Sequence, residues 1–105
     1  MKKKAAMTSP DVLTLVTRMA DAVQRARKRR RLTQRQLATR AGIGLQTVNR
    51  LERGEPGIAL GSYLEVLSVL DEQWPRALLE VIDADRLGHA LETARLPQRV
   101  KPDVF

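Results

Sequence analysis

Leu32-Thr33-Gln34-Arg35-Gln36-Leu37-Ala38-Thr39-Arg40-Ala41-Gly42-Ile43-Gly44-Leu45-Gln46-Thr47-Val48-Asn49-Arg50-Leu51-Glu52-Arg53-Gly54 is the stretch on which the fold turns. Thr33 and Gln36 form a Thr-x-x-Gln capping box, in which each end residue satisfies a backbone donor of the other, so a helix begins here. That helix covers about 33–41 through Leu37 and Ala38, and Gly42 then supplies the left-handed backbone of a sharp turn. Gly44 can begin a further helix over about 45–53, stopped by Gly54 and broken by Pro56-Gly57. Its inward face is narrow: Val48 and Leu51, with part of Leu45 and Thr47. Gln46, Asn49, Arg50 and Arg53 are left on an outward face rich in hydrogen-bond donors. Ala38, Ala41 and Gly42 are small where two helices crossing steeply need small residues.

On the N-terminal side, Val12, Val16, Met19, Val23 and Ala26 recur at helical spacing after a Ser9 cap and Pro10, and this helix fades near Arg30 or Arg31. On the other side, about 60–70 is the most apolar element, with Leu60, Leu64, Leu67 and Leu70 in a stripe widened by Tyr63 and Val66. This helix is expected to be the centre of the core. Pro75 marks a fifth helix through Leu78, Leu79 and Ile82, Arg86 to Arg95 a short sixth, and an extended or disordered tail follows Pro97. No strand alternation survives beyond a few residues, so the fold class is all-α.

The 105 residues make one small domain. The net charge of +7 is unevenly spread: residues 1–31 carry +8, 32–54 carry +3, 55–85 carry −6 and the last twenty +2. The basic end is what a polyanion would meet, although Arg25 to Arg31 also reads as a solvated helix end. Composition alone does not separate DNA, RNA and anionic membrane. The aromatics are only Tyr63, Trp74 and Phe105, too few for modules that stack bases on ring platforms. The basic stretch also lacks the aromatic anchors of a membrane-surface helix. With no cysteine and one histidine there is no disulfide framework and no thiolate or multi-histidine metal cage. No apolar run approaches the roughly 20 residues of a membrane span, and a soluble cytoplasmic protein is expected.

Two short helices around a glycine turn, the second polar outside and flanked by basic charge, describe a helix-turn-helix. Leu32 to Ala38, Ala41-Gly42-Ile43 and Val48-Asn49-Arg50-Leu51-Glu52-Arg53-Gly54 resemble the Xre/Cro-type helix-turn-helix of lambdoid phage repressors, over about residues 12–70. Glu52 to Gly61 followed by Leu64-x-x-Leu67-x-x-Leu70 is most similar to HipB-like antitoxins. The resemblance implies a lambda-repressor-like five-helix DNA-binding domain at 11–83. A basic arm at 1–10 precedes it, and a short C-terminal helical extension and tail at 84–105 follows.

The resemblance also implies roles. Gln34 with its helix N-terminus, together with Thr33, would bind phosphate without reading sequence. Leu45, Gln46, Asn49 and Arg50 would face the bases, since Gln and Asn can bind adenine and Arg guanine in a bidentate way. Leu45 stands where phage repressors have glutamine; it would contact a thymine methyl or simply pack. Thr47 and Arg53 lie near the backbone. Arg31 stands where many relatives have glycine, so the turn after the first helix would be held differently and Arg31 would point at phosphate. Arg27 and Glu52 match a structural ion pair. Lys2 to Lys4 resemble the lysine arms of some repressors, or any flexible terminus.

One such domain reads too little DNA for genomic specificity, so a homodimer on a palindromic double-stranded operator is expected. Trp74, Leu78, Leu79, Ile82, Leu87 and Leu91 are candidates for the dimer contact, for a contact with a HipA-like kinase toxin, or merely for completing the core. His89 has no nucleophile-base arrangement near it, Asp83 and Asp85 read as cap and surface groups, and Gly42-x-Gly44 is no phosphate loop. The leading function is an operon-repressing antitoxin; a stand-alone regulator and a protein-binding adaptor are the alternatives. No enzyme activity, cofactor or metal is expected.

Overall fold

The computed structural model describes residues 8–95. Six helices follow in order: α1 Pro10–Arg29, α2 Gln34–Ala41, α3 Leu45–Glu52, α4 Leu60–Leu70, α5 Gln73–Ala84 and α6 Arg86–Arg95. No strand occurs among the described residues. Each boundary has a local cause. The Ser9 hydroxyl accepts the Val12 N–H at 3.3 Å to open α1, and Arg27, Lys28 and Arg29 close it where the helix dipole favours cations. Both arms of the capping box at α2 are made: the Gln36 N–H donates to Thr33 Oγ1 at 3.0 Å, and the Thr33 N–H to Gln36 Oε1 at 2.9 Å. Gly42 ends α2 at φ 71°.

The chain between α1 and α2 is held in the conformation that a glycine would take. Arg31 has φ 56°, left-handed backbone that costs an L-residue about 1–2 kcal/mol. Arg31 therefore takes left-handed geometry with a side chain attached, at the position where the resemblance puts glycine in many relatives. Gly54, at φ 82°, does for α3 what Gly42 does for α2, under tighter conditions. A Cβ there would stand 3.5 Å from the Thr17 Cα, because α1 passes close to this turn.

The core draws on α1 to α4. Leu37, Val48, Leu51 and Val66 are fully buried, joined by Val23, Ala26, Leu32, Ala38, Ala41, Leu67 and Leu70. In this arrangement α2 packs against both α3 and α4, and α1 packs against the same two helices. Two sequence expectations need correction. Leu60 does not join the leucine stripe: it is 70% exposed, since α4 begins there and its inward face starts a turn later at Tyr63 and Leu64. On α1 the covered face begins at Ala20, leaving Val12 and Met19 exposed and Val16 half buried.

The described residues form two compact units that meet inside α5, one ending at Pro75 and the other starting at Arg76. Trp74 belongs to the first. It is half buried against the core and lies under the Arg30 guanidinium at 5.6 Å from the ring centroid, so it is not one of the freely exposed apolar residues. In the second unit neither helix has a buried residue, and Leu78, Leu79, Val81, Ile82, Leu87 and Leu91 are all exposed. Asp85 caps α6 by accepting the Gly88 N–H at 3.0 Å. Lys2 to Lys4 and the stretch 96–105 lie outside the described residues.

Candidate nucleic-acid interface

The site is built on α3, whose inner side is bolted down by one carboxylate. Glu52 is 2% exposed at its side chain and takes both ends of the Arg27 fork, Nε at 2.7 Å and the second terminal nitrogen at 3.1 Å. The remaining Arg27 nitrogen donates to the Leu32 carbonyl at 2.8 Å, and Gln34 Nε2 donates to the same Glu52 carboxylate at 2.9 Å. Two parallel charge-assisted bonds are the strongest geometry open to such a pair. The end of α1, the start of α2 and the end of α3 are thereby joined at one point.

Gln34 uses one amide hydrogen in that junction and keeps the other, beside backbone N–H groups that no helical carbonyl can reach at the start of α2. The Thr33 oxygen accepts from Gln36, which leaves its hydroxyl hydrogen to donate. At α3 the N-cap is Gly44, with no side chain to cap the first turn. The starts of both helices thus offer donors suited to phosphate.

The outward side of α3 is a shallow open depression lined by Gln46, Asn49, Arg50 and Arg53. The side chains of Gln46 and Asn49 make no hydrogen bond among the described residues. Thr47 is half buried, and Leu45 leans on the core while its other side is open. Arg50 and Arg53 share an acceptor that the sequence reading missed. Glu55 receives Arg50 Nε on one oxygen and an Arg53 terminal nitrogen on the other, each at 2.8 Å. The hydrogen bond from Arg50, then that from Arg53, holds the Glu55 carboxyl below the usual carboxylate range. Spacings of five and two are not helical partners, and only the turn at Gly54 brings the carboxylate back over α3.

The arginine run at the end of α1 divides by role. Arg27 is the buried member of the Glu52 pair. Arg30 donates to the Leu70 carbonyl at 2.8 Å and to Ala26 at 2.9 Å, and Arg25 pairs with Asp21 at 2.9 Å. Lys28, Arg29 and Arg31 are exposed and form no ion pair among the described residues. His89 is exposed, and no cluster of His, Cys, Asp or Glu suited to a metal occurs among the described residues. No helix among them is long and apolar enough to cross a membrane.

A capped helix, a left-handed glycine, and a second short helix with a narrow buried face and a polar outer one together define a helix-turn-helix domain, the architecture of DNA-binding regulators. The family comparison agrees: residues 23–73 match the helix-turn-helix family model, which is 51 of the 105 residues. The match supports the Xre/Cro-type resemblance and does not distinguish the antitoxin branch within it. Neither a curated protein nor a solved structure matches the chain.

Proposed function

We propose that the protein is a sequence-specific DNA-binding transcriptional repressor of the cytoplasm, acting as a homodimer on a palindromic operator. The observation that carries this reading is the outer face of α3, where the side chains of Gln46 and Asn49 make no hydrogen bond among the described residues, beside Arg50 and Arg53. α3 enters the major groove; Gln46, Asn49 and Arg50 read base edges, and Leu45 meets a thymine methyl. Thr33, Gln34, Arg31, Thr47 and Arg53 take phosphates and set the register. One reading helix covers too few base pairs for specificity, so two copies bind half-sites about one helical turn apart. Leu78, Leu79, Ile82, Leu87 and Leu91 are exposed apolar surface for that dimer.

The finer reading is an antitoxin that represses its own operon and neutralises a HipA-like kinase toxin. The resemblance of Glu52 to Leu70 to HipB-like antitoxins supports it, as does the charge of −6 over 55–85, which suits a basic partner protein. The test is an anisotropy titration of the protein against the DNA just upstream of its own gene, with and without the product of the neighbouring gene. Specific binding that the neighbour tightens or supershifts is the expected result. Specific binding indifferent to the neighbour leaves the stand-alone regulator. Binding unchanged by Gln46→Ala with Arg50→Ala overturns base reading and favours the adaptor. With about six phosphates neutralised per dimer, log K falls against log salt with a slope near −5.

A further inference from the structure

The reading face carries an anion of its own. Glu55 sits across Arg50 and Arg53 with one carboxylate oxygen on each guanidinium at 2.8 Å, the stance a DNA phosphate would take between the same two cations. Arg50 gives Nε to this contact, which leaves its terminal nitrogens. The arginines are roughly half to two-thirds exposed and Glu55 is 38% exposed at its side chain, so the contact lies at the surface and can be exchanged. An exposed pair of this kind is weak, of a strength that a second anion can displace.

We infer that Glu55 is an internal competitor for DNA phosphate, a specificity-determining residue that keeps Arg50 and Arg53 occupied until a matching site offers them better partners. The inference rests on the DNA-binding reading above. On arbitrary duplex, α3 finds no matching base edges, and phosphate must displace a carboxylate that is already in place. On the operator, the contacts of Gln46 and Asn49 are added, and the exchange becomes favourable. The consequence is a lower background of sequence-independent binding, the quantity that sets useful specificity in a genome full of competing sites.

The test is Glu55→Gln in the full-length protein, measured by fluorescence anisotropy over a salt series. One duplex is scrambled and the other comes from the region upstream of the protein's own gene. Glu65→Gln is the control, since Glu65 is exposed on α4, has no ion pair among the described residues, and changes net charge equally. Freeing two cations per protomer should tighten scrambled duplex by ~10-fold or more near 0.1 M salt and steepen the log-log slope by up to about 1.8 per protomer. Glu65→Gln should change each by much less. Equal effects of the two variants overturn the inference and leave only net charge. If Glu55→Gln weakens the upstream duplex and leaves scrambled duplex unchanged, Glu55 instead braces Arg50 for base reading, and the inference falls. Absence of binding to either duplex by every variant overturns the DNA reading itself, whereas binding indifferent to Glu55 overturns this inference alone.

Discussion

Glu52→Gln should unfold this domain more readily than any surface change of the same size. The buried carboxylate accepts three N–H groups, two from Arg27 and one from Gln34, and only 10% of the Arg27 side chain is exposed. A glutamine keeps the shape but offers one oxygen, turns an NH2 group toward donors, and leaves the guanidinium buried without a counter-charge. Breaking a buried pair from one side costs about 3–5 kcal/mol. The lower end applies here, because the Leu32 carbonyl still accepts from Arg27 at 2.8 Å. Against a total of about 5–15 kcal/mol for small proteins, that is a large fraction. With a urea slope of about 1–2 kcal/mol/M, the midpoint should fall by ~2 M, equivalent to on the order of 15 °C in Tm. Trp74, the only tryptophan, packs against the core and gives the fluorescence signal. The double variant Arg27→Met with Glu52→Leu should recover much of the loss, since the stranded charge is gone. A midpoint within ~0.3 M of wild type for Glu52→Gln, or a double variant as unstable as the two singles summed, would refute the reasoning.

Leu37→Ala should cost about 2–5 kcal/mol, because Leu37 is fully buried, whereas Leu60→Ala should stay within about 0.5 kcal/mol; urea denaturation separates them. Gly42→Ala and Gly54→Ala both force left-handed backbone on alanine, at about 1–2 kcal/mol. The two should cost about the same, since the Cβ of Gly54→Ala would reach Thr17 of α1 at an ordinary contact distance of 3.5 Å and that of Gly42→Ala meets nothing within 4 Å, which leaves the left-handed backbone as the shared penalty. Arg31→Gly should relax the turn and raise stability by up to about 1 kcal/mol while lowering affinity for scrambled duplex, read by denaturation and anisotropy on the same sample. Glu55 should titrate below the ordinary glutamate range in a carbon-detected NMR series, and Arg50→Ala with Arg53→Ala should return it upward. Because its folded pKa is depressed, its small contribution to stability is present above the unfolded carboxylate pKa and is lost as pH falls through the lowered value.

What was legible in the sequence is what local chemistry decides. Thr33 and Gln36 are close in the chain, Gly42 and Gly54 need only their own backbone, and the leucines of α4 repeat with the helix, so α2, α3 and α4 could be read residue by residue. Leu60 was misjudged because the stripe gives a period and not the point where a neighbouring helix begins to cover it. Val12 and Met19 failed for the same reason, since nothing in α1 says that its partners stop at Ala20. The Arg27 to Glu52 contact came through the family resemblance, as a separation of 25 positions carries no local rule. Glu55 was invisible because its partners are brought to it by the left-handed turn at Gly54.

The anchoring of α3 is all on one side. Arg27, Gln34, Glu52, Val48 and Leu51 hold the helix from within, while the side chains of Gln46, which is exposed, and Asn49, which is half buried, make no hydrogen bond among the described residues. Exchanges at those two positions therefore cost the domain little, and on the proposed DNA-reading role a lineage can drift from one operator to another without passing through an unfolded ancestor. On that role recognition and foldedness are separable traits, inherited on opposite faces of the same two turns of helix.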